Sequence, residues 1–190
     1  VPSDIITEMR SEGIIKMVAA GTPIDSKNVI IPKSINGVTV KRIGDYAFYQ
    51  SGLGKTADAS VFGTVVIPEA VTSIGKYAFA YTMLNGITVP AAVESIGEGA
   101  FYGCKKLKTI MGNIVMRDAT VLQDMFGQCV ELENVQVTML RKSISFDNSP
   151  KLSNASILSM VNNSAAASAI AITLHPEAYA RAMADAEILS

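Results

Sequence analysis

One histidine, two cysteines, six tyrosines and seventeen carboxylate side chains are the residues with which this chain of 190 could do chemistry. His175 precedes Pro176 at the start of an expected helix. A catalytic base or metal ligand there needs a second histidine or a cysteine cluster, and the sequence has neither, so the histidine is read as structural or incidental. Cys104 and Cys129 follow Phe101 and Phe126 at the same distance. Side chains stacked at matching places run parallel rather than face to face, so two small buried thiols are expected in preference to a disulfide, and two ligands do not make a zinc site. There is no Walker loop, G-x-S-x-G elbow, H-E-x-x-H pair or EF-hand loop, and no pair of carboxylates is spaced for acid/base work. The sequence supports no enzyme and calls for no cofactor. Asn154-Ala155-Ser156 and Asn162-Asn163-Ser164 match a glycosylation sequon, which is read as coincidental.

The organisation that must position these residues is a repeat. Val66-Ile67-Pro68-Glu69-Ala70-Val71-Thr72-Ser73-Ile74-Gly75-Lys76-Tyr77-Ala78-Phe79 is answered 22 residues later by the segment from Thr88 to Phe101. An earlier copy runs through Ile31-Pro32 and Ile43-Gly44-Asp45-Tyr46-Ala47-Phe48, with an excess of nine residues, about 54–62. Degraded copies follow at Phe126-Gly127-Gln128-Cys129-Val130-Glu131-Leu132 and Phe146-Asp147-Asn148-Ser149-Pro150-Lys151-Leu152, which makes about five coils.

Each coil is legible in physical terms. Ile87-x-Val89 and Leu107-x-x-Ile110 read as short strands, and Pro68 and Pro90 end them because proline has no N–H for a ladder. Val71-x-x-Ile74 and Val93-x-x-Ile96 supply a second extended segment. The glycines at 44, 75 and 97 are expected to provide a bend, and Ala-Phe a helical turn that sends the ring inward. A coil of about 22 residues cannot bury its own apolar face, so the coils must stack. Inward phenylalanines are therefore expected at 48, 79, 101, 126 and 146.

Ile-Pro-x-x-Val-x-Ser-Ile-Gly-x-x-Ala-Phe-x-x-Cys-x-x-Leu resembles the BspA-like bacterial surface proteins of the leucine-rich repeat class. The resemblance covers about Val29 to Leu152 and weakens where Gly112-Asn113 replaces Val-Pro and Leu122 replaces the coil glycine. It implies an α/β solenoid, a right-handed stack of about five coils with short parallel strands and helical end caps. The expected organisation is a cap of helix (Ser3 to Glu12) and strand (Ile14 to Val18) over 1–28, the solenoid over 29–152 with the insertion at 54–62, and a helix-strand-helix cap over 153–190.

Sixteen basic against seventeen acidic residues leave a net charge of −1, so there is no basic field for nucleic acid or an anionic membrane. No apolar stretch reaches the length of a membrane span. The chain starts with Val1, and no signal peptide is visible in this segment. Aligning the coils places Lys106, Glu131 and Lys151 in one row and Lys108 beside Glu133 in the next, the pattern of cross-strand pairing on a solvated face.

Two surfaces are left for binding. Thr64, Val66, Gly86, Thr88, Thr109, Met111, Asn134 and Gln136 form a nearly uncharged outward strip suited to a protein partner. Tyr46, Tyr49, Tyr77, Tyr81 and Tyr102 gather near the Ala-Phe turns, of which Tyr49, Tyr81 and Tyr102 are taken as contact residues. The absence of tryptophan argues against sugar. The resemblance implies a monomeric, non-catalytic adhesion or recognition module at the cell surface, for proteins or other extracellular macromolecules of host or microbe. The alternatives are a spacer presenting another domain and, more distantly, an enzyme.

Overall fold

A computed structural model of the chain describes residues 9–10, 14–15, 28–35, 37–51, 63–112, 125–136, 143–164 and 170–189. The insertion at 54–62 and the greater part of the expected N-terminal helix lie outside these residues. In chain order the first strands are β1 (Met9–Arg10), β2 (Ile14–Ile15), β3 (Asn28–Ile30), β4 (Ser34–Ile35), β5 (Val38–Thr39), β6 (Arg42–Ile43) and β7 (Thr64–Val66). They are followed by β8 (Ser73–Ile74), β9 (Gly86–Val89), β10 (Ser95–Ile96), β11 (Thr109–Gly112), β12 (Asn134–Val135) and β13 (Ile144–Phe146). Helix α1 (Asn154–Asn162), strand β14 (Ile172–Leu174) and helices α2 (Pro176–Met183) and α3 (Ala186–Leu189) complete the described chain.

Two five-stranded sheets run the length of the stack, in the orders β12-β11-β9-β7-β3 and β1-β2-β6-β8-β10. Each coil of the solenoid contributes one strand to the first sheet, and the Val-x-x-Ile segments of the first three coils contribute to the second, with Ile43, Ile74 and Ile96 in register. All pairings between coils are parallel. β9 stops at Val89, before Pro90, as a residue without an N–H requires. In the next coil Gly112 pairs with Val89 and leaves the strand at φ +102°, where a Cβ would strike the Val89 carbonyl.

Between the sheets lies a ladder of phenylalanines. Phe48, Phe79, Phe101, Phe126 and Phe146 are fully buried, with centroids of successive rings 5.2, 5.8, 5.9 and 5.2 Å apart and planes within 13° of parallel. The repeat phase read from the sequence is therefore the phase of the fold.

Three expectations are corrected. Met9–Arg10 is a strand, antiparallel to β2 with Met9 opposite Ile15, where a helix over 3–12 is expected. Ile5, Ile6 and Met9 are too few to separate the periods, and pairing with Ile14–Ile15 decides the matter. The Ala-Phe segments are not helical. The N–H groups of Ala47, Tyr49 and Ser51 turn back onto carbonyls three residues earlier, but those of Tyr46, Phe48 and Gln50 donate to Lys76, Ala78 and Ala80 of the next coil. Half the donors are spent between coils, so no helical ladder can form. The glycines at 75 and 97 provide no left-handed bend. They allow close approach, because a Cβ on Gly75 would lie 2.5 Å from the Asp45 nitrogen and one on Gly97 2.5 Å from the Lys76 nitrogen.

At the C-terminal side, Ser153 caps α1, accepting from the Ser156 N–H. The Ser156 hydroxyl itself accepts from the Val135 N–H (2.9 Å) and lies 3.1 Å from the Glu133 carbonyl, to which it donates. A side chain thus stands where the next strand's backbone would be. Arg181 of α2 donates to the carbonyls of Pro150 and Leu152, holding this helix to the last coil.

Candidate interaction surface

Alternation along the strands of the first sheet divides its residues. Val65, Ile87, Ile110 and Val135 point inward and are buried, so their neighbours point out. Register aligns Thr64, Gly86, Thr109 and Asn134 in one outward row, and Ile30, Val66, Thr88 and Met111 in another. Exposed Gln136 extends the second row, its N–H donating to the Ile110 carbonyl. Every strip residue expected from the sequence is therefore on this face, although Thr109 and Gly86 are only half-exposed.

The second row is apolar and open: Ile30 is 67% exposed, Val66 50% and Met111 47%. Ile30, the most exposed of them, is missing from the sequence-read strip. Its signal was there, since Ile30-Ile31-Pro32 matches Val66-Ile67-Pro68. Within the first row, Gly86 makes a dip where a Cβ would find only ordinary contacts. It belongs to a hollow of about 500 Å³ lined by Thr64, Val66, Thr88, Thr109, Met111 and others, with Glu69 as its acidic residue. A second hollow of about 420 Å³ continues past Thr109, Met111, Asn134 and Gln136 to Ala155 and Ser159 of α1.

The tyrosines lie along the opposite turns. Tyr46 stacks on Tyr77 at 5.5 Å, and Tyr49, Tyr81 and Tyr102 join them edge to face. Tyr46, Tyr77 and Tyr81 hold left-handed backbone, at φ 57°, 49° and 58°. In the following coil the places of Tyr77 and Tyr81 belong to Gly99 and Gly103, over which those two rings lie; a Cβ on either glycine would clash with the ring. Burial, then the electrostatic effect of Tyr102 and Tyr49, holds the Tyr81 phenol above its ordinary pKa.

Cys104 and Cys129 are free and buried. Burial pushes the Cys104 thiol up to about 11 and the Cys129 thiol well above its usual value. They belong to a larger set that the sequence reading missed. The third residue after each ladder phenylalanine is Ser51, Thr82, Cys104, Cys129 or Ser149, all buried. Ser51 donates to the Phe48 carbonyl, Thr82 and Cys104 both donate to that of Phe79, Cys129 to that of Phe101, and Ser149 to that of Cys129. The position selects a small donor that fits beneath a carbonyl, whichever element carries the proton.

In the charged row, Lys151 Nζ lies 2.6 Å from Glu131 Oε2. The Lys151 hydrogen bond, helped by Lys108 and Lys106, holds the Glu131 carboxyl below the usual range despite partial desolvation. His175 caps α2, its Nδ1 accepting from the Glu177 N–H at 3.2 Å. The Asn154 amide donates to Asp185 Oδ2 and Ser156 is buried, so the first sequon is engaged in packing. Among the described residues no group of three or more His, Cys, Asp or Glu side chains could hold a metal ion, and no helix is long and apolar enough to cross a membrane.

No curated protein matches this chain. Among solved structures, a leucine-rich repeat protein from Eubacterium ventriosum is 21% identical, with 87% of this chain and 37% of that one covered and a TM-score of 0.49. A leucine rich cell surface protein from Faecalibacterium prausnitzii is 18% identical, with 92% and 54% covered and a TM-score of 0.45. The chain thus spans roughly a third to a half of these two proteins. The model of the BspA type leucine rich repeat region matches residues 57–166 in six copies. Those residues are more than half of the 190, and they include the sheet rows apart from Ile30 and the phenylalanine ladder from Phe79 to Phe146. With that span of repeats on a stack of parallel coils, the chain belongs to the BspA-type leucine-rich repeat family.

Proposed function

We propose that the chain is a non-catalytic interaction module of a bacterial cell-surface protein, which captures a protein or another extracellular macromolecule, of host or microbe, on the outward face of β3, β7, β9, β11 and β12. The observation that carries this reading is the open apolar row of Ile30, Val66 and Met111, with Thr88 between the last two, on a face whose other strip residues are uncharged. A solvated face ordinarily carries charge, as this protein does at Lys151 and Glu131. Stacked repeats offer an extended surface on which such a row meets a partner across several coils at once. Thr64, Thr109, Asn134 and Gln136 supply hydrogen-bonding groups beside it. The family and the name of the Faecalibacterium relative favour an extracellular setting.

The test is a binding screen with immobilised chain against host extracellular matrix and bacterial surface extracts, run with the wild type and with Val66→Asp/Met111→Asp. Charge at the centre of such a patch should weaken binding by about thirtyfold or more, as for a residue carrying ~2 kcal/mol. Partners held equally by both proteins would move recognition elsewhere, and a variant lacking 54–62 then tests the insertion. If wild type retains no partner, the chain is a spacer that presents another domain.

A further inference from the structure

Five of the six tyrosines close into a ring. Successive centroids are 5.5 Å apart for Tyr46 and Tyr49, 5.6 Å for Tyr49 and Tyr81, 5.5 Å for Tyr81 and Tyr102, 6.4 Å for Tyr102 and Tyr77, and 5.5 Å for Tyr77 and Tyr46. These five residues also line a single surface hollow of about 450 Å³. A flat pentagon with such edges has its centre about 5 Å from every centroid, and puckering brings it nearer, so a group seated there lies within the ~6 Å over which an aromatic ring attracts a cation. A hollow of about 450 Å³ has room for a tetramethylated nitrogen.

The hollow is lined by tyrosines alone, and the row of charges beside Tyr46, Tyr77 and Gly99 in the chain is net negative. One flank of the ring is the row Asp45, Lys76 and Glu98, whose charges sum to −1; Lys76 is paired with Glu98 at 3.7 Å, and the Asp45 carboxylate accepts from the Lys76 backbone N–H. The other flank carries neutral amides, with Gln128 donating to the Tyr102 hydroxyl at 2.9 Å and Gln50 to that of Tyr49 at 3.5 Å. Three of the rings are placed by left-handed backbone, which the repeat imposes at these places, since Gly99, Gly103, Gln50 and Gln128 hold it as well. Covering the edge of the core does not require tyrosine in that conformation.

From this geometry we infer that the closed tyrosine ring is a binding site for a quaternary ammonium group, such as the trimethylammonium of choline. A methylated nitrogen has no N–H to leave unsatisfied, is weakly hydrated compared with an ammonium, and is attracted by the negative face of an aromatic ring.

The protein reports on this site itself, because it has no tryptophan and its sixth tyrosine, Tyr179, lies apart in α2. Near-ultraviolet circular dichroism and tyrosine fluorescence are followed while tetramethylammonium chloride or choline chloride is added at constant ionic strength. The expected result is a saturable change with both salts and none with sodium chloride. The uncharged isostere 3,3-dimethylbutan-1-ol should bind at least tenfold more weakly than choline. Tyr81→Gly, which keeps the backbone comfortable, should weaken choline binding two- to thirtyfold with the melting temperature little changed, and Tyr179→Phe should leave it as it is. Co-sedimentation with phosphatidylcholine vesicles, and not with phosphatidylglycerol vesicles, identifies a lipid headgroup as the source. Choline binding without co-sedimentation identifies a soluble or polymer-borne ligand. The inference is overturned if the isostere binds as tightly as choline, if Tyr81→Gly and Tyr102→Leu both bind like wild type, or if no saturable change occurs below about 100 mM.

Discussion

Replacing Phe101 by alanine tests the stack most directly, because the two faces of its ring are the contact between three coils. The ring is fully buried, 5.8 Å from Phe79 and 5.9 Å from Phe126, with planes within 7° of both. Truncating a buried phenylalanine costs about 3–5 kcal/mol, since the transfer energy of the ring is lost and a cavity is left. Against a total stability of roughly 5–15 kcal/mol that is a large fraction, and it should be plain in urea unfolding followed by far-ultraviolet circular dichroism. The sharper measurement is a coupling. Aromatic neighbours contribute about 0.5–1.5 kcal/mol beyond their area, so Phe79→Ala and Phe101→Ala should be non-additive by about that much. Phe48→Ala and Phe126→Ala are three rungs apart and should add within about 0.5 kcal/mol. Equal coupling in both cycles would falsify the account of the core as a nearest-neighbour stack, and so would a cost below about 1 kcal/mol for Phe101→Ala.

Cys104 and Cys129 should resist a thiol reagent in the folded protein at pH 8, because burial raises both thiols, and should both react after denaturation without reductant. Recovery of no thiol would mean that they form a disulfide after all. Gly97→Ala should destabilise by about 1–3 kcal/mol, as overpacking does, because its Cβ would meet backbone at 2.5 Å; an unchanged urea midpoint would show that the coils are not so closely spaced there.

What could be read from the sequence, and what could not, follows from how far each feature depends on neighbours in space. The phenylalanine ladder, the buried cysteines and the outward strip repeat at one place in each coil, so alignment alone finds them. The third-after-Phe position does not stand out in the sequence because serine, threonine and cysteine look unrelated until all are seen donating to carbonyls. The turns look helical in sequence because the destination of the Phe48 and Phe79 N–H groups lies in another coil. The grouping of tyrosines was legible, but not its closure, which needs Tyr77 and Tyr102 to meet across a glycine-lined step. Met9 belongs to a strand for a reason six residues away, at Ile15.

The hydroxyl of Ser156 has a wider consequence. A bare strand edge is a template on which any other chain can polymerise. Here the Val135 N–H is taken by the Ser156 hydroxyl and the Glu133 carbonyl by that hydroxyl and the Ser153 N–H, so these groups at β12 are satisfied by the start of α1 rather than merely hidden. Termination of this kind does not depend on how many coils precede it. An array built in this way can gain or lose repeats by duplication or deletion upstream while the same short segment goes on ending the sheet, which separates the evolution of its length from the problem of keeping it in solution.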